Sequence, residues 1–314
     1  VNLKEYKGVK IKSVPTFENG KLNAIVYSVI ATFLALFGRY DVIHFHAEGP
    51  CSMIWLPHLF GIHTVATIHG LDWQRAKWGG FATKFLKFGE KTAAKYADEL
   101  IVLSEGTRDY FKKTYGRETV FIPNGIDVQN EKKADIITKK YGLEKDGYIL
   151  FLARIVPEKG LHYLIDAFMQ TDIDKKLVIA GGVSHSGEYA KQIHDMAKDD
   201  RIIFTGFVEG DELWELYYNC RMYVLPSDVE GMPISLLEAM ACGCECLVSD
   251  IDTVKNVVGE YGYTFKKSDV NDLKNKLCEI LGKQKADKAE QIEYVKNNYS
   301  WDEITDRTLE LYKK

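Results

Sequence analysis

The sequence has few of the features that mark disulfide-rich, metal-binding or membrane-spanning proteins. Six cysteines occur in 314 residues, without a CxxC pair or a Cys/His cluster. The longest apolar run, Leu22 to Phe37, spans 16 residues and contains Asn23, Ser28 and Thr32. That length is short for a transmembrane helix, and no signal peptide is visible. The run is therefore predicted to be a buried or interfacial helix, and the chain a cytoplasmic protein.

The cysteines do not favour a metal site. Cys242, Cys244 and Cys246 alternate along a predicted turn-to-strand segment, so their side chains would stand roughly 6.6 Å apart on one face. That spacing is wide for a zinc tetrahedron. We expect the thiols to fill the core in a reducing compartment, with no metal bound.

The charge is unevenly divided along the chain. Hydrophobic residues make up 46% and charged residues 27%, which is typical of a globular protein long enough for two domains. The net charge of −4 combines +5 over residues 1–125 with −9 over the remainder. The basic first half favours an anionic lipid or membrane surface as its partner. Nucleic acid is disfavoured, because no recognised binding module is present and the chain is acidic overall.

Strands and helices alternate along the whole chain, which predicts parallel sheets covered by helices. The strand candidates are Val9–Val14, Asp41–His46, His63–His69, Glu99–Leu103, Thr119–Ile122, Tyr148–Ala153, Lys176–Ala180, Ile202–Thr205, Met222–Leu225 and Cys246–Val248. The helix candidates include Leu22–Phe37, Ser52–Phe60, Phe81–Tyr96, Gly106–Lys113 and Val270–Gly282.

The turn residues Pro123 to Asp127 interrupt this alternation and predict a domain boundary. We expect an α/β domain over residues 1–123, a second one over 124–290, and a C-terminal helical segment over 291–314 that crosses back to the first domain.

Two glutamates, Glu230 and Glu238, are separated by seven residues in the most informative segment of the chain. Pro233 suits the first position of a helix, and Gly243 would end that helix. Glu230 is then on the entering loop and Glu238 about one turn inside. Five helical residues rise roughly 7.5 Å, so the two carboxylates would reach different parts of one extended ligand.

The start of the same helix predicts an anion site. The N–H groups of Ile234, Ser235 and Leu236 would lack partners within the helix and could bind a phosphate. Arg154 and Lys159 follow the strand Tyr148–Ala153, and cations at a strand end can neutralise a diphosphate. Hydroxyl-binding carboxylates on either side of a phosphate site indicate a nucleotide-diphosphate sugar.

These residues resemble the donor-binding motif of family 4 glycosyltransferases of the GT-B fold. The resemblance is to bacterial enzymes that build surface polysaccharides, and a rhamnosyltransferase-like group is one possible assignment within them. The resemblance rests on Glu-x7-Glu, with a serine before it and Glu-Ala-Met-Ala-Cys-Gly after it. It implies two Rossmann-like doubly wound domains facing a cleft. The family opens with a βα unit that is absent here, so we expect the first domain to be truncated and its stability and activity to be in doubt.

The resemblance also implies roles for individual residues. Glu230 would contact the reacting sugar and Glu238 the ribose, while Arg154 and Lys159 would stabilise the departing diphosphate without a metal or any cofactor besides the donor. Ala153 stands where the family usually has glycine. The implied donor-binding residues are Arg154, Lys159, Gly182, Phe207, Val208, Leu213, Glu230, Gly231, Met232, Pro233, Ile234 and Glu238. Phe207 and Val208 would bind the nucleobase through their backbone.

Histidines end two strands of the first half. The resemblance gives His69 contact with the donor sugar and a place in the catalytic set with Glu230, Arg154 and Lys159. Without the resemblance, a structural histidine is the better interpretation. We also expect His46, with Glu48 and Gly49, to line the acceptor side.

A basic stretch with interleaved aromatic residues follows His69. It could rest on anionic lipid or hold a lipid-diphosphate acceptor, or it could be a solvated helix face over the core. Its members are Arg75, Lys77, Trp78, Phe81, Lys84, Phe85, Leu86, Lys87, Phe88, Lys91 and Lys95.

We therefore predict a retaining glycosyltransferase that moves a hexose from a nucleotide-diphosphate sugar to a saccharide or lipid-linked acceptor. It would act in the cytoplasm or at the inner face of the membrane. The alternatives are an inactive glycosyltransferase-like binding subunit and a sugar-nucleotide epimerase or hydrolase of similar architecture.

Overall fold

A computed structural model describes residues 4–16, 23–74, 79–127, 129–183 and 187–313. The chain divides into two compact units. Unit 1 contains the residues up to Ile122 together with those from Thr308 onward, and unit 2 contains Pro123–Arg307. The helical segment predicted over 291–314 is thus shared between the units.

Unit 1 is built on a four-stranded parallel sheet in the order β3-β4-β5-β6. Its elements are β1 (Glu5–Tyr6), β2 (Val9–Lys10), α1 (Asn23–Leu36), β3 (Val42–His46), α2 (Glu48–Cys51), α3 (Trp55–Leu59), β4 (His63–Ile68), α4 (Phe81–Tyr96), β5 (Glu99–Val102), α5 (Glu105–Tyr115) and β6 (Val120–Phe121). A short 3-10 turn over Asp72–Gln74 follows β4.

The strand predicted over Val9–Val14 is wrong. Only Val9–Lys10 is a strand, and it pairs antiparallel with β1 outside the main sheet. Gly8 has a φ of +83°, so the chain turns back on itself there and Val9 meets Tyr6. The helix predicted over Ser52–Phe60 is also wrong in extent, since only α3 (Trp55–Leu59) lies within that range and α2 ends before it, at Cys51.

Unit 2 has a six-stranded parallel sheet in the order β12-β11-β10-β7-β8-β9. Its strands are β7 (Tyr148–Leu152), β8 (Lys176–Ala180), β9 (Ile202–Gly206), β10 (Met222–Leu225), β11 (Cys246–Ser249) and β12 (Tyr263–Phe265). Its helices are α6 (Ile136–Tyr141), α7 (Leu161–Met169), α8 (Gly187–Met196), α9 (Gly210–Asn219), α10 (Ile234–Ala241), α11 (Asp252–Val258), α12 (Val270–Leu281), α13 (Ala289–Asn298) and α14 (Trp301–Tyr312), whose last residues belong to unit 1.

The strand order of unit 2 reverses between β7 and β10. From β7 the chain proceeds outward through β8 and β9, and it then returns to place β10 on the other side of β7. In open α/β sheets, ligands bind beyond the carboxyl ends of the strands at such a switch point. Both units have the parallel α/β architecture that the sequence predicts, and the predicted Rossmann-like fold is confirmed.

The cysteines fill the core with one exception. Cys51, Cys220, Cys242, Cys244 and Cys246 are buried, as predicted. Cys278 is exposed, because the buried face of α12 is formed by its neighbour Leu277 together with Leu273 and Ile280.

No helix in the described part of the chain has the length and apolar character that crossing a membrane requires.

Candidate functional site

The predicted site residues of unit 2 follow four neighbouring strands. Arg154 and Lys159 come after β7, Gly182 after β8, Phe207 after β9 and Glu230 after β10. Because all these strands run parallel, their carboxyl ends meet at one edge of the sheet. The switch point between β7 and β10 lies at the same edge, so the topology gathers the predicted residues there.

Lys159 and Glu230 form an ion pair at the switch point. The Nζ atom of Lys159 is 2.5 Å from Oε1 of Glu230, and the two side chains are only 14% and 7% exposed. The Ser227 hydroxyl donates to the same oxygen at 2.6 Å. Gly160 allows this contact, because a Cβ there would lie 1.9 Å from the carbonyl oxygen of Pro226. The loops after β7 and β10 therefore touch where only glycine fits.

Arg154 lies beside this pair in sequence, with its side chain exposed. Among the described residues it has no ion pair, so its guanidinium is available to an anion. The backbone next to it is fixed tightly. A Cβ on Gly181 would lie 1.9 Å from the carbonyl oxygen of Ala153, and the N–H of Ile155 donates to the carbonyl of Gly182 at 3.1 Å.

Helix α10 begins one residue later than predicted. Pro233 is its N-cap, with φ −75° and ψ 116°, and Ile234 is the first helical residue. The N–H of Leu236 donates to the carbonyl of Pro233 at 3.2 Å, because the first turn is tight. Leu236 therefore does not offer a free N–H, and the predicted anion site is reduced to the N–H groups of Ile234 and Ser235.

Glu238 is the fifth residue of α10 and is partly buried. The hydroxyl of Tyr217 donates to its Oε2 at 2.8 Å. Burial raises the pKa of Glu238, and the hydrogen bond from Tyr217 acts in the opposite direction.

The apolar residues predicted for this site differ in exposure. Phe207 is 75% exposed, whereas Val208 is buried. Met232 is also buried, and its carbonyl accepts a hydrogen bond of 3.0 Å from Nδ2 of Asn124. The predicted residues that are half-buried are Gly182, Leu213 and Gly231.

Unit 1 brings three histidines together at the ends of β3 and β4. Nδ1 of His46 is 3.1 Å from Nε2 of His69, and the rings of His44 and His46 stack with centroids 4.2 Å apart. His44 also contacts the hydroxyls of Tyr312 and Thr67, at 2.6 and 2.8 Å. Burial, followed by the charges of His46 and His69, lowers the pKa of His44 to about 3, so this ring is neutral.

Glu48 does not line a surface, contrary to the prediction. It is fully buried, as is Gly49, and neither carboxyl oxygen of Glu48 has a hydrogen-bond partner in the described part of the chain. Burial raises the pKa of Glu48 to about 9, with smaller contributions from Asp72 and Glu90. Helices α2 and α4 pack closely here, because a Cβ on Gly89 would lie 1.9 Å from the carbonyl oxygen of Glu48.

Glu90 is a buried acid that sequence reasoning missed. It accepts hydrogen bonds from Nε1 of Trp73 at 2.9 Å and from the hydroxyls of Tyr110 and Tyr115 at 2.8 and 2.5 Å. The only signal in the sequence is that Glu90 falls on the apolar face of α4, four residues after Leu86.

Two further contacts of the site were not predicted. Ser227 opens the glutamate motif, and its position was a usable signal. Tyr217 lies among apolar residues of α9, and the sequence carries no signal for its contact with Glu238. Within the described residues, no group of three or more His, Cys, Asp or Glu side chains could hold a metal ion. Arg75, Lys77 and Trp78 of the predicted basic stretch lie outside the described residues.

Family models match nearly the whole chain. One described as "Glycosyl transferases group 1" matches residues 133–298, and one described as "Glycosyltransferase Family 4" matches residues 2–130. Alpha-maltose-1-phosphate synthase of Mycolicibacterium smegmatis is 26% identical over 288 residues, covering 82% of this chain and 74% of that protein. O-antigen chain mannosyltransferase B of Escherichia coli is 27% identical over 187 residues, covering 56% of this chain and 48% of that protein.

Solved structures match the fold. Sucrose-phosphate synthase from Thermosynechococcus elongatus superposes with a TM-score of 0.83 at 22% identity, covering 97% of this chain and 82% of that one. Anabaena HepE in complex with UDP and glucose superposes with a TM-score of 0.78 at 20% identity, covering 94% and 83%.

Proposed function

Because this chain belongs to the glycosyl transferases group 1 and is a family 4 glycosyltransferase of the GT-B fold, we propose that it moves a hexose from a nucleotide-diphosphate sugar to a saccharide or lipid-linked acceptor, with retention of configuration. The observation that carries the proposal is the Lys159–Glu230 pair at the switch point of unit 2. It joins a cation suited to a phosphate with a carboxylate suited to sugar hydroxyls.

The leaving group is a nucleoside diphosphate, and negative charge develops on it as the bond to the sugar breaks. Lys159 and Arg154 would stabilise that charge, since preorganised cations lower the free energy of a transition state in which charge builds up. These two cations could supply what a divalent metal supplies in other enzymes. We therefore propose that transfer is independent of metal and needs no cofactor besides the donor.

Glu230 would act on the sugar. Its Oε1 atom already accepts from Ser227 and contacts Lys159, which holds the carboxylate in one orientation. From there it would bind the hydroxyls of the reacting sugar and stabilise positive charge near the reacting carbon. Glu238 would bind the ribose. Contact of His69 with the donor sugar stays a prediction.

Two similar proteins indicate which donors to test first. HepE was solved with UDP and glucose, and the Escherichia coli relative is named an O-antigen chain mannosyltransferase. We infer that glucose and mannose donors are the first candidates and that the product belongs to a surface polysaccharide or glycoconjugate made in the cytoplasm.

The surface of α4 supports a peripheral contact with anionic membrane, where a lipid-linked acceptor would be found. Its four lysines, Lys84, Lys87, Lys91 and Lys95, are all exposed. Phe81 and Phe88 are 71% and 50% exposed on the same helix. A basic helix with aromatic side chains among its cations suits the interface of an anionic bilayer.

The proposal is tested by product formation from UDP-, GDP- and dTDP-hexoses with saccharide and lipid-linked acceptors. We expect Glu230→Gln to lower kcat by about 100-fold or more, because the charged carboxylate is lost at the reacting sugar. Turnover should survive excess EDTA, and NMR of the product should show the anomeric configuration of the donor.

Glu212→Gln is a matched control, because Glu212 is also largely buried in unit 2 and forms an ion pair with Lys140 at the same 2.5 Å. Unchanged turnover in Glu230→Gln would contradict the catalytic assignment. Free epimerised or hydrolysed sugar would favour an epimerase or hydrolase. Donor binding without turnover would indicate an inactive binding subunit.

A further inference from the structure

Helix α10 presents two polar side chains, Ser235 and Glu238, on one face. They are three residues apart and so lie next to each other on the helix surface. The other residues of the helix are apolar. Ile234 is exposed, and those after it are buried. The buried residues are Leu236, Leu237, Ala239, Met240 and Ala241.

Each of these polar side chains is held by a buried tyrosine. Tyr223 on β10 donates its hydroxyl to Oγ of Ser235 at 2.9 Å, and Tyr217 on α9 donates to Oε2 of Glu238 at 2.8 Å. Tyr223 and Tyr217 are 0% and 1% exposed, with ring centroids 6.0 Å apart. A buried tyrosine hydroxyl requires a hydrogen-bond partner, and here both partners belong to the donor site.

The hydrogen bond from Tyr217 gives the two oxygens of the Glu238 carboxylate different roles. An ionised carboxylate only accepts hydrogen bonds, and Oε2 accepts from Tyr217. No described residue donates to Oε1, which leaves that oxygen for a ligand. Burial raises the pKa of the Tyr217 hydroxyl well above its usual range, so this group stays a donor at every working pH.

We propose that Tyr217 is a positioning residue that orients Glu238 toward the ribose hydroxyls and thereby makes this chain select ribonucleotides over deoxyribonucleotides. The inference rests on the proposed function, in which Glu238 binds the ribose of the donor. Tyr217 itself does not touch the ligand and acts only through the carboxylate.

Removal of the hydroxyl should weaken ribose binding in two ways. The carboxylate would be free to rotate, so a fixed orientation would no longer be available to the ligand. Its charged form would also lose a stabilising hydrogen bond in a partly buried site, which favours the neutral acid, a weaker acceptor. Neither effect involves the nucleobase or the phosphates.

The test is calorimetric titration of the full chain with UDP, GDP and ADP. The ribonucleotide that binds most tightly is then compared with its 2′-deoxy and 3′-deoxy forms. Wild type should lose roughly tenfold in affinity with at least one missing hydroxyl, the range for a hydrogen bond to a charged group. In Tyr217→Phe that ratio should fall to about twofold or less, with deoxynucleotide affinity nearly unchanged.

Tyr141→Phe provides the matched control, because the Tyr141 hydroxyl donates to Oε1 of Glu212 at 2.8 Å on the same unit. This variant should keep the wild-type ratio. Thermal unfolding of both variants shows whether the loss of one hydroxyl has disturbed the fold.

The ribose selectivity of Glu238→Gln distinguishes a failure of the positioning role of Tyr217 from a failure of the donor-site assignment of Glu238. If Glu238→Gln loses ribose selectivity and Tyr217→Phe keeps it, the positioning role is wrong and the donor site stands. If Glu238→Gln keeps the wild-type ratio, or if none of the ribonucleotides binds, the assignment of Glu238 fails and the inference fails with it. If Tyr217→Phe weakens ribonucleotide and deoxynucleotide equally, Tyr217 is merely structural.

Discussion

His46 and His69 end two different strands, yet one ring donates to the other across 3.1 Å. His46 uses its Nδ1 atom in this contact, and the ring of His44 stacks on that of His46. Burial lowers the pKa of His46, so the neutral ring is favoured and the hydrogen bond selects its tautomer. At the scale of single residues, His46 is therefore in a position to orient His69, the histidine that we expect to contact the donor sugar.

We expect His46→Ala to lower kcat of the transferase about tenfold, the effect of losing one hydrogen bond that orients a functional group. His46→Asn should retain most of the activity, because the amide of asparagine occupies the position of Nδ1. Steady-state kinetics with saturating donor would measure both.

His58→Asn is the control, since His58 in unit 1 pairs with Asp98 at 3.4 Å, whereas His46 contacts His69. Equal losses in the alanine and asparagine variants would contradict the orienting role of His46.

Single residues also show where sequence reasoning stops. Lys159 and Glu230 could each be assigned to a donor site from their motifs, and the structure brings them into contact. Tyr217, in contrast, lies among the apolar residues of α9, where no neighbour in sequence indicates its partner. The difference is that a motif is local, whereas the partner of a buried hydroxyl depends on which helix packs behind it.

At the scale of elements, α4 has one buried face and one exposed face. One face packs into unit 1 through Leu86, Gly89 and Ala93, and the other presents Lys84 and Lys91 to solvent. The sequence predicted the bounds of this helix correctly as Phe81–Tyr96. It left open whether the lysines meet lipid or only water, because periodicity identifies an exposed face without identifying what covers it.

We expect this chain to sediment with vesicles rich in phosphatidylglycerol and to remain in solution with phosphatidylcholine vesicles. Replacement of the four α4 lysines by glutamine should weaken binding by about 100-fold or more, since each cation near an anionic surface contributes about 1 kcal/mol. The interaction should also weaken steeply as salt is raised.

A control with the same change in net charge replaces four exposed lysines elsewhere, namely Lys113, Lys191, Lys255 and Lys296. If this variant loses binding to the same extent, the effect comes from overall charge and α4 is only a solvated face.

At the scale of the whole molecule, each unit has a core of its own, and the core of unit 1 surrounds an unusual acid. Glu48 is fully buried near Glu90, and its pKa is raised to about 9. The folded state thus keeps a proton on Glu48 that the unfolded chain releases near the ordinary glutamate pKa of 4.5. The contribution of protonated Glu48 to the free energy of unfolding is therefore present in full below pH 4.5, and it is lost as the pH rises toward 9.

We expect the free energy of unfolding of unit 1 to fall by up to about 1.4 kcal/mol per pH unit between pH 5 and 9. Glu48→Gln keeps the shape of the neutral acid and should remove most of this slope, so the two proteins should differ little at pH 5 and clearly at pH 8.5. Urea unfolding monitored by tryptophan fluorescence would measure it.

Glu118→Gln changes an acid of unit 1 that is 75% exposed, and it should leave the slope as in wild type. Parallel pH profiles for wild type and Glu48→Gln would contradict a buried neutral carboxyl at this position.

Sequence was enough to predict the alternation of strands and helices, the α/β class and the glutamate motif, because these depend on periodicity and on neighbours along the chain. It failed at Val9–Val14, where Gly8 turns the chain back into a hairpin. The β-strands near the centre of unit 2 were predicted well, since residues buried on both faces form continuous apolar runs.

The contacts between distant side chains, in contrast, follow from how the elements pack in three dimensions. Lys159 and Glu230 touch because the strand order places β10 beside β7. Tyr217 reaches Glu238 because α9 packs against α10, and Glu48 is buried because α2 approaches α4 at a glycine. Such contacts depend on sheet order and helix packing, which arise from the whole chain burying its apolar surface at once and have no signature in any short segment.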